Sequence, residues 1–444
     1  MYRDSICSPE YPAAWLLFGM AFSLAMAHFF SFTWSKIATV IFYLVPFVWV
    51  SMIIWHRRGI LLGIGRIDVL FALFVLVVLV SSSAMQGGFV ETTRKYILYM
   101  PFMMVIPYLC GRLMRVPDIA QLLRVTMVAG LAMLPLLLLD RFTSPGRDSG
   151  RWPFFGLDHG ALLAGSLLAV ALVALCVSTL DFPNPSERNN RRLRAIQYCL
   201  IGLMTAFLVW LTARGFLLAS LVGVAVTCLS ARQHAIWRRV GLLAAVLTIV
   251  GLSLSVLPKV DPYFGRMSAA PMDISSLTES VPGATGPISG ATGPILGEAS
   301  CQPFKEGNNS VAMRWVLYQE AVAMFVAHPY WGVGSAQFGV YSCTGPMGFP
   351  HSTILQGFAE LGLVGGGLLV GLLALATVTL VRPFLYGGQG SNWSAGAFVL
   401  ALFAAFLVED QIYGNYFMSA GTWLMLGIAA RMRVNNNHGG ESRG

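Results

Sequence analysis

The sequence predicts an all-α polytopic membrane protein of about twelve transmembrane helices with one large loop on the outer side. Three observations carry that prediction. Of 444 residues, 56% are hydrophobic and only 11% are charged, against about a quarter charged in soluble domains. Twelve apolar segments approach the ~20 residues that a helix needs to cross a bilayer. Basic residues also collect in alternate connections, as expected when cationic loops stay on the cytoplasmic side.

In chain order the expected spans are 13–31, 37–55, 67–85, 96–111, 120–139, 160–180, 195–212, 215–231, 240–257, 352–381, 393–409 and 416–431. The first follows no basic n-region and no small-residue cleavage site, so it is expected to remain as a helix. The fourth is short and carries Pro101 and Pro107. The seventh and eighth are joined by a very tight turn at TARG. The chain then divides into spans one to nine over 1–257, a large loop over 258–350, three further spans over 351–431 and a cytoplasmic tail over 432–444.

With twelve spans and both termini cytoplasmic, 18 of the 29 basic residues fall on the cytoplasmic side. These include Arg57, Arg58 and Arg66, then Arg112, Arg115 and Arg124, the cluster Arg188, Arg191, Arg192 and Arg194, and Arg431 and Arg433. Removing one span would scramble the alternation. The outer side keeps, among others, Arg94 and Lys95, Arg141, Arg147 and Arg151, Arg214 in the tight turn, and Lys259, Arg266, Lys305 and Arg314 in the large loop. Ordinary solvated loop charge accounts for several of these. Arg214 differs, because it sits at membrane depth, where a charge is costly and usually functional.

The large loop holds a tandem repeat, GATGPIS followed by GATGPIL, at 283–296. Its Gly, Pro, Ala and Thr supply no core, so it reads as an insertion. A helix is expected next. Asn308, Asn309 and Ser310 offer caps, and Val311, Trp315, Tyr318, Val322 and Phe325 recur at helical spacing to give one apolar face. Pro329 ends it. This helix is expected to lie on the membrane surface or to pack on the bundle, with Arg314 in its first turns. Cys301 and Cys343 are the two cysteines in outer loops. An oxidising outer compartment would permit a disulfide between them.

The chain is organised around HSTILQGFAELGLVGGG at 351–367. His351 follows a proline and opens the tenth span. The positive end of the helix dipole disfavours an imidazolium there, so a neutral ring can act as general base toward a hydroxyl. The alternative is a histidine that only caps the helix or reaches to the interface. Arginines on the same side suit an anionic ligand, a diphosphate above all, because guanidinium forks match phosphate oxygens. Arg214 and Arg314 lead, followed by Arg151 and Arg147. For Arg314 the alternative is a solvated helix face. His28, His159 and His328 lack companion carboxylates at ligand spacing, so no metal site is expected. Nothing points to nucleic acid or to a cofactor, and the absence of a P-loop gives no sign of ATP use.

Ion-coupled transport is the rival class. Such carriers place carboxylates mid-membrane and pair broken helices in matching halves. The acidic residues here lie almost entirely in loops or at span ends, with Glu409 and Asp410 closing the eleventh span. Glu360, two to three turns into the tenth span, is the exception. It is expected to bond a neighbouring helix or to hold an arginine.

These residues resemble a known family. The R-x5-EA pattern at 314–321, HPYWGVGSAQF at 328–338, HSTILQGFAELGLVGG at 351–366 and LTARGFLLASL at 211–221 look like the signature of the O-antigen ligase and O-antigen polymerase superfamily. The resemblance implies a metal-independent, inverting glycosyltransferase of the GT-C type in the bacterial inner membrane, with its active site facing the periplasm. Its donor would be a glycan on undecaprenyl diphosphate. Its acceptor in the ligases is a sugar hydroxyl of the lipid A core; in the polymerases it is a second lipid-linked repeat unit. Transfer to a protein hydroxyl and movement of lipid-linked sugar are the remaining readings. The histidine of the family falls on His351 as base, and its arginines on Arg214 and Arg314 as diphosphate ligands. Ser352 departs from the pattern, because many members carry Asn after the histidine; a serine could orient the ring or acceptor only over a shorter reach. The GATGPI repeat is not part of the pattern.

Overall fold

The computed structural model describes residues 44–55, 63–83, 98–143, 160–181, 188–211, 214–231, 236–260, 310–342, 349–385, 393–417 and 419–441. Among the described residues all regular structure is helical. The helices are α1 (Leu44–Trp55), α2 (Arg66–Ser83), α3 (Leu98–Leu113), α4 (Val116–Thr143), α5 (Gly160–Asp181), α6 (Arg188–Trp210) and α7 (Arg214–Ser230). They continue as α8 (Ile236–Val260), α9 (Ser310–Ala327), the single turn α10 (Phe338–Tyr341), α11 (Thr353–Leu385), α12 (Trp393–Asp410) and α13 (Ala420–Glu441). Six of them, α4, α5, α6, α8, α11 and α12, contain stretches long and apolar enough to cross a membrane. The first expected span, the GATGPI repeat, Arg147, Arg151, Cys301 and Cys343 lie outside the described residues.

The core is built around α5, whose residues 167–177 are buried on every side. Such all-round apolarity marks a helix enclosed by others rather than one on a surface. It packs against α4, α6, α7 and α12. At the other extreme, α8 leaves Leu247, Leu252, Leu254 and Val256 exposed, as suits a lipid-facing wall. The pair α3 and α13 packs closely: a Cβ on Gly111 would lie 2.1 Å from the Leu424 carbonyl oxygen, and one on Gly427 would lie 2.0 Å from that of Tyr108. Small residues permit such contact where dispersion drives helix association.

The two prolines of the fourth expected span leave it helical. A π turn over Pro101–Val105 absorbs the missing donor and the ring clash that proline imposes. At one end of this region Asp68 accepts hydrogen bonds from Arg112 Nε at 2.9 Å, Tyr108 Oη at 2.8 Å and the Gly65 N–H at 2.7 Å. Arg112 also donates to the Gly63 carbonyl. Its side chain is 2% exposed, so the pair ties the starts of α2 and the end of α3 inside the protein.

Several expected boundaries change. The last helix begins at Ala420 rather than at 416, and the described residues of the 411–419 segment form a packed linker. Asp410 anchors that linker, accepting from Ser419 Oγ at 2.7 Å and Thr422 Oγ1 at 2.5 Å. The last helix also continues to Glu441, into the segment read as tail. The tenth expected span is broken: α11 contains Gly362 at φ 64° and ψ −160°, which no helix accommodates.

Candidate functional site

The site is assembled where α7, α9, α11 and the 411–419 linker meet. The break in α11 explains why its first two turns can hold a loop. Around Gly362 the helix ladder is interrupted, and the freed backbone groups are taken up by the segment after α9. The Val333 and Gly334 N–H groups donate to the carbonyls of Ala359 (2.9 Å) and Glu360 (2.8 Å). In return the Leu363 N–H donates to the Pro329 carbonyl at 2.7 Å. Buried backbone groups must be paired, and irregular backbone at membrane depth persists only where protein encloses it. Both facing glycines have positive φ, and a Cβ on Gly332 or Gly362 would lie 2.3 to 2.4 Å from the opposite backbone. The glycines in WGVG and ELG therefore serve one contact.

Glu360 locks this contact. It is 1% exposed and uses both oxygens twice. Oε2 accepts from the Ala336 N–H at 2.9 Å and Tyr416 Oη at 2.6 Å. Oε1 accepts from the Phe338 N–H at 3.2 Å and Gln356 Nε2 at 3.3 Å. The four acceptor positions of a carboxylate are thereby filled. The sequence left open a bond to a neighbouring helix or to an arginine. The structure gives the first, through Phe338 at the start of α10, and adds the Ala336 N–H of the loop before it and a tyrosine of the linker. That tyrosine, Tyr416, also meets Ser335 Oγ at 3.2 Å. Burial, and then the adjacent Glu360, push its phenol well above the ordinary value, so it stays a donor.

A second, smaller core holds α9 against this loop, formed by Leu317, Ala321, Met324, Val333, Phe338 and Ala359. Here the structure corrects the sequence. The expected apolar face of α9 included Trp315 and Val322, yet these are 49% and 51% exposed. The helix is apolar on two sides, and packing on α11 selects the side of Leu317 and Met324. Trp315, Val322, Val326, Tyr330 and Trp331 are left on an open apolar face. Glu320, on the buried side, accepts from Ser342 Oγ at 2.5 Å.

His351 precedes α11 by two residues and is half-buried. Its φ of 52° is left-handed, a conformation that costs a non-glycine residue energy and gathers at functional sites. Its ring meets that of Phe349 at 4.3 Å. Ser352 begins the helix: its Oγ accepts from the Leu355 N–H at 3.3 Å, as an N-cap does, and donates to Gln411 Oε1 at 2.8 Å. The serine thus reaches a partner in the linker.

Arg214 is the first residue of α7 and is exposed. Next to it, Gly215 and Phe216 receive Tyr413 of the linker. The Phe216 and Tyr413 rings stack at 4.8 Å and 13°, and the Gly215 N–H donates to Tyr413 Oη at 3.4 Å. Arg314 comes to the same ring from α9, its guanidinium carbon 4.9 Å from the centroid, within the range of a cation–π contact. Tyr318, one turn later on the same face of α9, donates to the Gln411 carbonyl at 3.2 Å.

The structure therefore gathers the His351 turn, the start of α7 behind Arg214, and Arg314 around three consecutive linker residues, 411–413. Arg147, Arg151 and the cysteine pair fall outside the described residues. Sequence reasoning passed over Gln411, Tyr413 and Tyr416, because they were divided between a loop and a span. The available signal was an aromatic-rich polar stretch, QIYGNYF, at a helix end, where tyrosines anchor interfaces. Among the described residues no group of three or more His, Cys, Asp or Glu stands at metal-binding proximity.

Residues 199–370 match a family model described as O-antigen ligase. The matched stretch runs from α6 into α11 and contains Arg214, Arg314, His351 and Glu360; it ends before the 411–419 linker. No curated protein matches the chain.

Proposed function

With residues 199–370 supporting a place for this chain in the O-antigen ligase and polymerase superfamily, we propose that it is an O-antigen ligase of lipopolysaccharide biosynthesis. It transfers a glycan from undecaprenyl diphosphate to a sugar hydroxyl of the lipid A core at the periplasmic face of the inner membrane. The carrying observation is the convergence of a base and two guanidinium-bearing elements on the 411–413 turn. That end of the bundle is the outer one in the orientation given by the basic loops.

In this reading the neutral His351 imidazole takes the proton of the acceptor hydroxyl. The oxygen forms a bond to the anomeric carbon while the bond from that carbon to the diphosphate oxygen breaks. The electron pair leaves on the diphosphate, and entry opposite to departure inverts the configuration. Arg314 and Arg214 neutralise the leaving group, and the N-terminus of α7 adds its dipole beside Arg214. Preorganised cationic groups placed where charge develops on the leaving group supply an electrostatic term, which fits a metal-independent transfer. Arg147 and Arg151 are proposed as further ligands of the donor. The fully bonded Glu360 fits a structural role better than proton relay, which weighs against coupled transport.

The test uses purified protein in nanodiscs with EDTA and undecaprenyl-diphosphate-linked glycan. Glycan appearing on added lipid A core is the expected result. Elongated lipid-linked glycan without that acceptor would make the protein a polymerase, the second reading that the family supports. Glycan on protein would indicate the oligosaccharyltransferase reading. Donor crossing sealed vesicles, with no product, would turn the assignment to transport.

A further inference from the structure

We propose that the 411–413 linker is a two-ended positioning bracket, with Tyr413 setting Arg314 against the start of α7 and Gln411 setting the turn that carries His351. This rests on the ligase reading and deepens it.

The Tyr413 ring is engaged by Phe216 at 4.8 Å and by Arg314 at 4.9 Å, so it does not offer a free platform for a sugar ring. Its use is to fix a guanidinium. A long arginine side chain carries large rotamer freedom, and a cation held over an aromatic face loses that freedom before ligand arrives. The hydroxyl of the same tyrosine meets the Gly215 N–H at 3.4 Å, one residue from Arg214. A Cβ at position 215 would come within 2.2 Å of the ring, so the glycine admits this approach. One side chain thereby sets the span between the two arginines.

Two residues earlier, Gln411 Oε1 holds Ser352 Oγ at 2.8 Å, beside His351. The bracket itself is restrained at every step. The Gln411, Ile412 and Tyr413 N–H groups donate back to Val408 and Glu409 carbonyls at 2.8 to 3.1 Å. The Gln411 carbonyl takes Tyr318 Oη, and Asp410 ties the far end through Ser419 and Thr422. A rigid support of this kind holds reacting groups in register, and small displacements cost rate steeply. Gln411 and Tyr413 are positioning residues, because each acts through a neighbour.

The two ends should separate kinetically. Tyr413→Leu is expected to weaken equilibrium binding of undecaprenyl diphosphate in nanodiscs, and to raise the donor KM, by about tenfold, with kcat changed much less. Gln411→Ala is expected to lower kcat by about tenfold with undecaprenyl diphosphate binding kept. Tyr413→Phe, which keeps the ring, and Gln411→Glu, which keeps an acceptor for Ser352, should each recover most of the loss. Thermal unfolding is recorded for all four, and any variant that does not fold is judged by its conservative counterpart. Equal donor affinity in wild type and Tyr413→Leu, or proportional loss of kcat and KM effects at both positions, would overturn the bracket. Failure of wild-type protein to bind undecaprenyl diphosphate would instead overturn the donor assignment beneath it.

Discussion

Replacing Glu360 tests the account of the broken helix most directly. Glu360→Ala removes the acceptor for two backbone donors, the Ala336 and Phe338 N–H groups, which cannot reorient. Tyr416 can turn to Ser335 Oγ, 3.2 Å away, and so keeps a partner. Each stranded buried donor costs ~1–3 kcal/mol, giving roughly 2–6 kcal/mol, from which relief of the buried carboxylate subtracts. A net loss of about 3 kcal/mol follows, enough to lower the unfolding midpoint in detergent by several degrees. Glu360→Gln keeps one acceptor oxygen but turns an amide N–H₂ toward a fixed donor, so it should lose about half as much. The assay is the fraction of monodisperse protein remaining after heating, for wild type, Gln and Ala variants side by side. An Ala variant as stable as wild type, or a Gln variant weaker than Ala, would refute the bonding account.

Other substitutions probe separate elements. His351→Ala should reduce transfer by ~10²–10⁴-fold while leaving insertion and thermal stability near wild type; near-normal transfer would remove the base assignment. Gly362→Ala places a side chain at φ 64° and 2.4 Å from Tyr330 backbone, and should cost about 3 kcal/mol or more, read as early protease cutting between α9 and α11. Arg112→Ala leaves the half-buried Asp68 with only Tyr108 and the Gly65 N–H, and should cost about 1.5–3 kcal/mol, read as a lowered unfolding midpoint. Adding Asp68→Asn to that variant should restore part of the loss, because the uncompensated charge is gone.

Composition and periodicity determined most of the helical frame. The apolar runs at 160–180 and 393–409 reappear as α5 and α12 within a residue or so, because a segment that is apolar on every side has few ways to satisfy its backbone except as a buried or lipid-facing helix. His351, Arg214, Arg314 and Glu360 were also legible, since each is a polar group where apolar residues are the rule. What the sequence could not decide was direction. α9 offers two apolar faces, and only docking on α11 picks Leu317 over Trp315. Gly362 looks like one of many small residues in a long span; it becomes a break only because the Gly332 loop supplies partners for the freed backbone. The linker at 411–419 shows the same limit. Local pattern divided its tyrosines between a loop and a span, whereas hydrogen bonds to Asp410 and from Ser352 and Tyr318 hold it as the turn on which the candidate base and arginines converge.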